Sequence, residues 1–283
     1  MYLPYSLKTL INLFKGIPKN SKSPITVLRS SLQCLEKARN FIIMDKIDSS
    51  NQLVKRVKLV ASNGLPPLQY RIQFIDECSI EEAVRFMIEH FLPNTNMDKA
   101  VGTINDEQTV AAYSLDWNTR LRKGISLGAF LEDDAGNKGR MISCLVLDIR
   151  RKEEEEFSSS EQYPSEKFGI IFRAMYEVMS KANIFKKYEC DAVLLDYGLA
   201  TSAEFQRRGI GVEMMEARAK VCSIKKIPVS AGVFDSEASQ KLAEKCGYET
   251  LAELDLTTYR IHGKLVYHRP SWSLIKCMAI RYF

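Results

Sequence analysis

The sequence is poor in the residue types on which metal sites and disulfide frameworks are built. It has three histidines, His90, His262 and His268, and none stands at ligand spacing from a cysteine, so no metal is expected. The seven cysteines (Cys34, Cys78, Cys144, Cys190, Cys222, Cys246 and Cys277) are odd in number, scattered and never arranged as Cys-x-x-Cys. This argues against a disulfide scaffold. With no secretory apolar segment, it predicts free thiols in a cytoplasmic setting. No Cys–His pairing suggests a thiol nucleophile, and packing is the expected role for most of these side chains. No apolar run reaches 18 residues, so no membrane span is expected. Acidic residues are missing altogether from the first 35 positions.

That last absence divides the chain. Residues 1–65 carry eleven Lys/Arg against three Asp/Glu, whereas the remainder carries 29 against 32. The basic extension places Leu7, Leu10, Ile11 and Phe14 on one helical face, a composition similar to a mitochondrial transit peptide. Pro18 and Pro24 interrupt it, and a poorly ordered basic tail is the competing expectation. Residues 32–43 can form another amphipathic helix. Gly64, Pro66 and Pro67 mark a linker into one domain over 66–283, expected to be monomeric. That domain is not basic, which speaks against a nucleic-acid surface. The whole chain's 46% apolar content is ample for a core.

Periodicity lays out the elements. Tyr70, Ile72 and Phe74 alternate as a strand. Ser79-Ile80-Glu81-Glu82 reads as a capping box opening a helix that ends at residues 94–96. Residues 126–131 and 141–149 form a hairpin around Asp134-Ala135-Gly136-Asn137. Residues 152–160 are an acidic, serine-rich loop. Phe168, Ile171, Phe172, Met175, Val178 and Met179 mark a helix whose stripe reads as core. A strand over 192–200, a helix over 212–224 with Val212, Met215, Ala219 and Cys222 inward, a strand from Pro228 and a helix from Ser236 follow. Strands near 254–261 and 264–268 finish a mixed sheet with helices on both faces, an α/β fold in three α-β-α layers.

The strand at 192–200 runs into Ser202-Ala203-Glu204-Phe205-Gln206-Arg207-Arg208-Gly209-Ile210-Gly211, and a helix starts at once. A helix start leaves main-chain N–H groups unpaired and carries partial positive charge, so a pyrophosphate suits it. A dinucleotide fingerprint needs a third glycine where Met214 stands. A P-loop needs Lys-Ser/Thr where Val212 and Glu213 stand. The pattern Q/R-x-x-G-x-G/A is satisfied by Gln206 to Gly211.

With the flanks Pro228-Val229-Ser230-Ala231-Gly232-Val233-Phe234 and the helix ending at Gly247-Tyr248, this turn resembles the acetyl-CoA signature of the GNAT superfamily. Tyr197 to Thr201, Ala217-Arg218 and Ser239-Gln240 are similar to insect-type arylalkylamine N-acetyltransferases. The resemblance covers about residues 66–270. It implies the GNAT acyl-CoA N-acyltransferase fold, acetyl-CoA as co-substrate and a small amine as partner.

By that resemblance the pantetheine lies on Leu199, Ala200 and Thr201. The pyrophosphate lies on Gln206, Arg207, Arg208, Gly209, Ile210 and Gly211, and Ser236 is a further contact. Direct attack needs a neutral amine, hence a base. The acidic position of the insect-type enzymes falls on Thr95, within Asn94-Thr95-Asn96-Met97, so Asp98 and Glu89 are the candidate bases. The tyrosine acid of many relatives is replaced by Ala243, which leaves Ser239 to orient groups near the thioester. Phe91, Tyr113 and Tyr197 are candidate walls for an aromatic acceptor. The expected activity is acetylation of a dopamine-, serotonin- or tryptamine-like amine. A different amine or acyl donor, or a non-catalytic CoA-binding protein, is the alternative.

Overall fold

The computed structural model describes residues 52–61, 66–154, 163–268 and 270–283. The expectations for residues 1–51, for Cys34 and for most of the acidic loop lie outside the described residues. The centre is an eight-stranded sheet. In chain order its strands are β1 (Leu53–Leu59), β2 (Leu68–Phe74), β3 (Leu127–Glu132), β4 (Lys138–Arg151), β5 (Ala192–Thr201), β6 (Val229–Phe234), β7 (Glu249–Asp255) and β10 (Leu274–Arg281); a separate hairpin joins β8 (Arg260–Ile261) and β9 (Lys264–Leu265). The spatial order is β1-β2-β3-β4-β5-β6-β10-β7, with every pair antiparallel except β5–β6.

Helices cover both faces. On one lie α1 (Ile80–His90), α2 (Asn96–Val101), α3 (Glu107–Leu121), α4 (Glu166–Ala182) and the short α5 (Ile184–Tyr188). Their Met87, Tyr113, Trp117, Ile171 and Phe172, with Leu92 just after α1, share one core with Cys144, Val146, Val193 and Leu195. On the other lie α6 (Ile210–Glu216) and α7 (Arg218–Lys225), whose Ile210, Met214, Val221 and Cys222 pack on Leu145, Leu147, Leu194, Tyr70 and Ile72. Alternate residues of β4 and β5 thus feed opposite cores, as a strand buried on both sides requires. A third cluster joins α8 (Glu237–Lys245), through Ala243, to Met215, Phe234, Tyr248 and Met278.

The structure revises several expectations. The sheet begins at Leu53, ahead of the 64–67 linker, so the extension expected over 1–65 gives a strand to the domain. Only Val57 of β1 is buried, and Lys55, Arg56 and Lys58 make it a charged edge that reads like a basic tail. No capping box forms at Ser79: Asp76 Oδ1 accepts from Ser79 N–H at 2.9 Å, and Glu82 is drawn away to Met141 N–H. The helix expected over 212–224 breaks at Ala217 into α6 and α7. Of its expected inward residues, Met215 and Cys222 are buried, whereas Val212 and Ala219 are half-buried. The strand expected near 254–261 stops at Asp255, where the Asp255 side chain accepts from Thr257 N–H and forms a turn. α3 and β10 were not expected, and β10 inserts between β6 and β7.

Candidate active site

β5 and β6 pair only at Val193–Val229, Leu194–Ser230 and Leu195–Ala231. Beyond Leu195 the strands separate. β5 stays with β4, β6 stays with β10, and a wedge opens between them. A bulge accompanies it. Leu145 pairs with Leu199 and Leu147 with Asp196, so Tyr197 and Gly198 together oppose Val146. An extra residue bends its strand and increases the twist. Gly198 sits at φ 127°, and a Cβ there would come within 2.7 Å of Met87 Cε and 2.9 Å of Phe91 Cε2, so only glycine suits.

Main-chain polarity along the wedge follows from one bond. Ser202 N–H donates to Ile142 O on β4 at 3.1 Å. Antiparallel alternation therefore turns the main-chain groups of Ala200 towards β4 and those of Leu199 and Thr201 towards the wedge. The Thr201 carbonyl is met there by Gln206 Nε2 at 3.1 Å. At the wide end, Val212 and Glu213 N–H groups return to Gly209 O. The amides of Arg207, Arg208, Gly209, Ile210 and Gly211 find no backbone acceptor among the described residues. Arg207 at φ 58° and Gly209 at φ 82° shape this cradle, and a Cβ on Gly209 would meet open space.

A cavity of about 470 Å³ runs through the wedge. Met215, Ser239 and Leu242 line it on the α6–α8 side, and Phe91, Asp98, Tyr113, Phe172 and Met175 line it on the α1–α4 side. The cavity therefore crosses the sheet. Four aromatic side chains, Phe91, Tyr113, Phe172 and Tyr197, wall the second half. Tyr197 is clamped: Arg120 lies 3.3 Å over its ring, and its carbonyl accepts from Trp117 Nε1 at 3.0 Å. Arg120 is itself held by Asp116 and Asp148.

Asp98 is the buried carboxylate of this half. Thr95 Oγ1 donates to its Oδ2 at 2.6 Å and Tyr113 OH reaches the same oxygen at 3.4 Å, while Oδ1 has no partner. Burial pushes its pKa up to about 6, against the opposing hydrogen bond from Thr95. Asp235 also lines the cavity, ties α2 to the start of α8 by accepting from Met97 N–H at 3.0 Å, and has its pKa raised by burial.

The residues singled out in the sequence fall into two groups. Leu199, Thr201, Gln206, Arg207, Gly209, Ile210, Gly211, Ser236, Ser239 and Asp98 all line the cavity. Three others do not. Glu89 is exposed on α1, because a strand-facing helix turns that position to solvent. Ala200 is buried. Arg208 points its guanidinium at Pro66 O. The Ser239 hydroxyl is engaged in the α8 cap, donating to Ser236 O at 2.9 Å. The helix stripe expected to be core also supplies Ile171, Phe172 and Met175 to the cavity. Asp235 and Asp196 were missed, for no local pattern distinguishes them from surface charges, and Arg218 entered only through the Ala217-Arg218 likeness, with no role given to it.

This mixed sheet, with its parallel pair splayed open over a glycine turn, is the fold of the GNAT acetyltransferases. No family model matches the sequence, and no curated protein matches it. Among solved structures, a yellow fever mosquito (Aedes aegypti) protein named arylalkylamine N-acetyltransferase 7 matches with TM-score 0.73 at 24% identity, over 81% of this chain and 94% of its own. Arylalkylamine N-acetyltransferase 2 of Aedes aegypti matches with TM-score 0.66 at 18% identity, over 76% and 99%. A Drosophila melanogaster polyamine N-acetyltransferase that forms N-acetylagmatine gives the same score and identity, over 75% and 99%.

Proposed function

We propose that this chain is an acetyl-CoA-dependent N-acetyltransferase acting on the primary amine of a small arylalkylamine of the dopamine, serotonin or tryptamine class. The observation that carries the reading is the cavity itself. A cradle of main-chain amides without backbone acceptors among the described residues stands at one end, a buried carboxylate at the other, and free main chain lies between.

The cradle residues Arg207 to Gly211 suit a pyrophosphate, because their N–H groups find no backbone acceptor among the described residues and Gly209 leaves room for close approach. Leu199 offers main-chain groups to an extended pantetheine, and its N–H can stabilise charge on a reacting carbonyl. Bound acetyl-CoA supplies an activated acetyl group at its thioester. Asp98 is the base. Above pH about 6 it is ionised, and as a carboxylate lining the cavity it can take a proton from an ammonium group through a water. Thr95 stands where the insect-type enzymes carry their acid, and it holds Asp98 by a hydrogen bond. The aromatic walls favour an aryl group. Holding both reactants in one cavity supplies much of the acceleration, up to about 7–11 kcal/mol in favourable cases.

A second reading, a diamine or guanidino-amine acceptor, is favoured by Asp98 and Asp235 together, since two carboxylates lining one cavity suit two cationic groups. Thiol release from acetyl-CoA by the full chain, measured with arylalkylamines, agmatine, polyamines and a peptide, separates the readings. A Gly209→Glu, Gly211→Glu variant is the control. Turnover with tryptamine or dopamine that the control lacks is expected. Turnover with agmatine alone would replace the arylalkylamine reading, and CoA binding without any turnover would point to a non-catalytic role.

A further inference from the structure

A buried ion pair stands where the β5–β6 ladder stops. The last paired residues are Leu195 and Ala231. Next on β5 is Asp196, which turns towards the α6–α7 face as Leu194 does. Next on β6 is Gly232. A Cβ on Gly232 would overlap Asp196 Oδ2 and lie 2.8 Å from its Cγ, so the carboxylate fills the space beside the glycine.

Arg218, the first residue of α7, holds that carboxylate. Its Nη2 lies 2.5 Å from Asp196 Oδ2, and its side chain is fully buried. Nη1 donates to Tyr248 OH at 3.3 Å, which in turn reaches Ser230 Oγ on β6 at 3.2 Å. Both charged side chains line the cavity at the narrow end of the wedge. Stability alone does not explain such a pair, because desolvation offsets most of its attraction and apolar side chains of similar volume often serve as well. Its location does. At the first position where the ladder fails, the carboxylate takes the space that a side chain at 232 would need.

We propose that the Asp196–Arg218 pair is a peg that ends β5–β6 pairing after Leu195 and sets the width of the wedge, and so positions the acyl carrier. The positioning role rests on the acetyltransferase reading above. The peg itself does not. Asp196 and Arg218 are positioning residues, and Gly232 is the complementary space that lets the carboxylate in.

The test compares the full chain with an Asp196→Ala, Arg218→Met double variant, which removes both charges together, strands neither and vacates the space beside Gly232. The double variant is expected to stay folded and to melt somewhat below the parent. Its amides over 196–199 and 232–234 are expected to exchange at least about tenfold more slowly as the ladder extends. KM for acetyl-CoA is expected to rise at least about tenfold while KM for the amine holds, a split that general destabilisation would not produce. Parent-like exchange in the folded double variant would overturn the peg. A parent that fails to bind CoA in titration would reject the positioning role and the cofactor reading, and the exchange comparison would still decide the peg. Gly232→Ala keeps both charges but crowds the carboxylate. It is expected to shift KM for acetyl-CoA by about tenfold, and an unchanged KM would overturn the proposal even where the double variant does not fold.

Discussion

Asp98 is held in a setting that opposes its own ionisation, and that gives it two opposite pH signatures. Its pKa of about 6 in the fold lies above the ordinary 3.8, because burial penalises the charge. Its neutral form therefore stabilises the fold at low pH, and that contribution is lost as the pH rises through about 6. Asp98→Asn is expected to raise the melting temperature near pH 7.5 and not near pH 4, by a gain of at most about 3 kcal/mol. Activity moves the other way. The parent's rate should climb as pH passes about 6, and the variant should lose that limb together with about a hundredfold in rate. Thr95→Val removes the hydrogen bond that opposes the shift. The limb should then move to higher pH, with a loss of about 1 kcal/mol from the α2 cap, and Thr95→Ser should restore both. The base was legible beforehand only as one of two candidates. Asp98 was visible as a nearby acid, but its burial depends on Tyr113 from a helix the sequence did not announce. Glu89, equally near in the chain, points to water.

The wedge is a property of elements, and it depends on backbone conformations that few residues tolerate. Gly198→Ala is expected to cost about 1–3 kcal/mol, since φ 127° is strained for alanine and Met87 and Phe91 crowd the added carbon. Chemical denaturation would measure that loss, and acetyl-CoA titration would report the accompanying change at Leu199. β5, β6, α8 and the β3–β4 hairpin were legible because their alternation, glycines or caps lie within a few residues. α3 was not, because its buried positions include Thr109 and Arg120, which dilute the apolar period. Nor was β10, although Ile275, Cys277 and Ala279 alternate as a half-buried strand should. Its place between β6 and β7 depends on pairings some 45 and 25 residues back in the chain, which no local window contains.

At the scale of the whole molecule, the two cores on either side of the sheet make a map that chemistry can read. Among the described cysteines, Cys78 is exposed and Cys246 half-buried, while Cys144, Cys190, Cys222 and Cys277 lie in the cores. Burial pushes the Cys222 and Cys277 thiols up to about 12, which suppresses the reactive thiolate at neutral pH. Brief alkylation of the native chain followed by peptide mass mapping should label Cys78 first. The four core cysteines should react only on unfolding, and early labelling of Cys222 or Cys277 would contradict the layer assignment. The cavity that crosses the sheet has a topological consequence. A molecule built of two bulky ends on a thin spacer, CoA at one and an aryl amine at the other, would sit like a thread through the eye of a needle. Neither end could withdraw sideways past Leu195 and Ala231, where the strands are stitched together. Release would have to wait for one end to be drawn back through the gap or for the open margin of the strands to part, so such a ligand would stay far longer than its two halves.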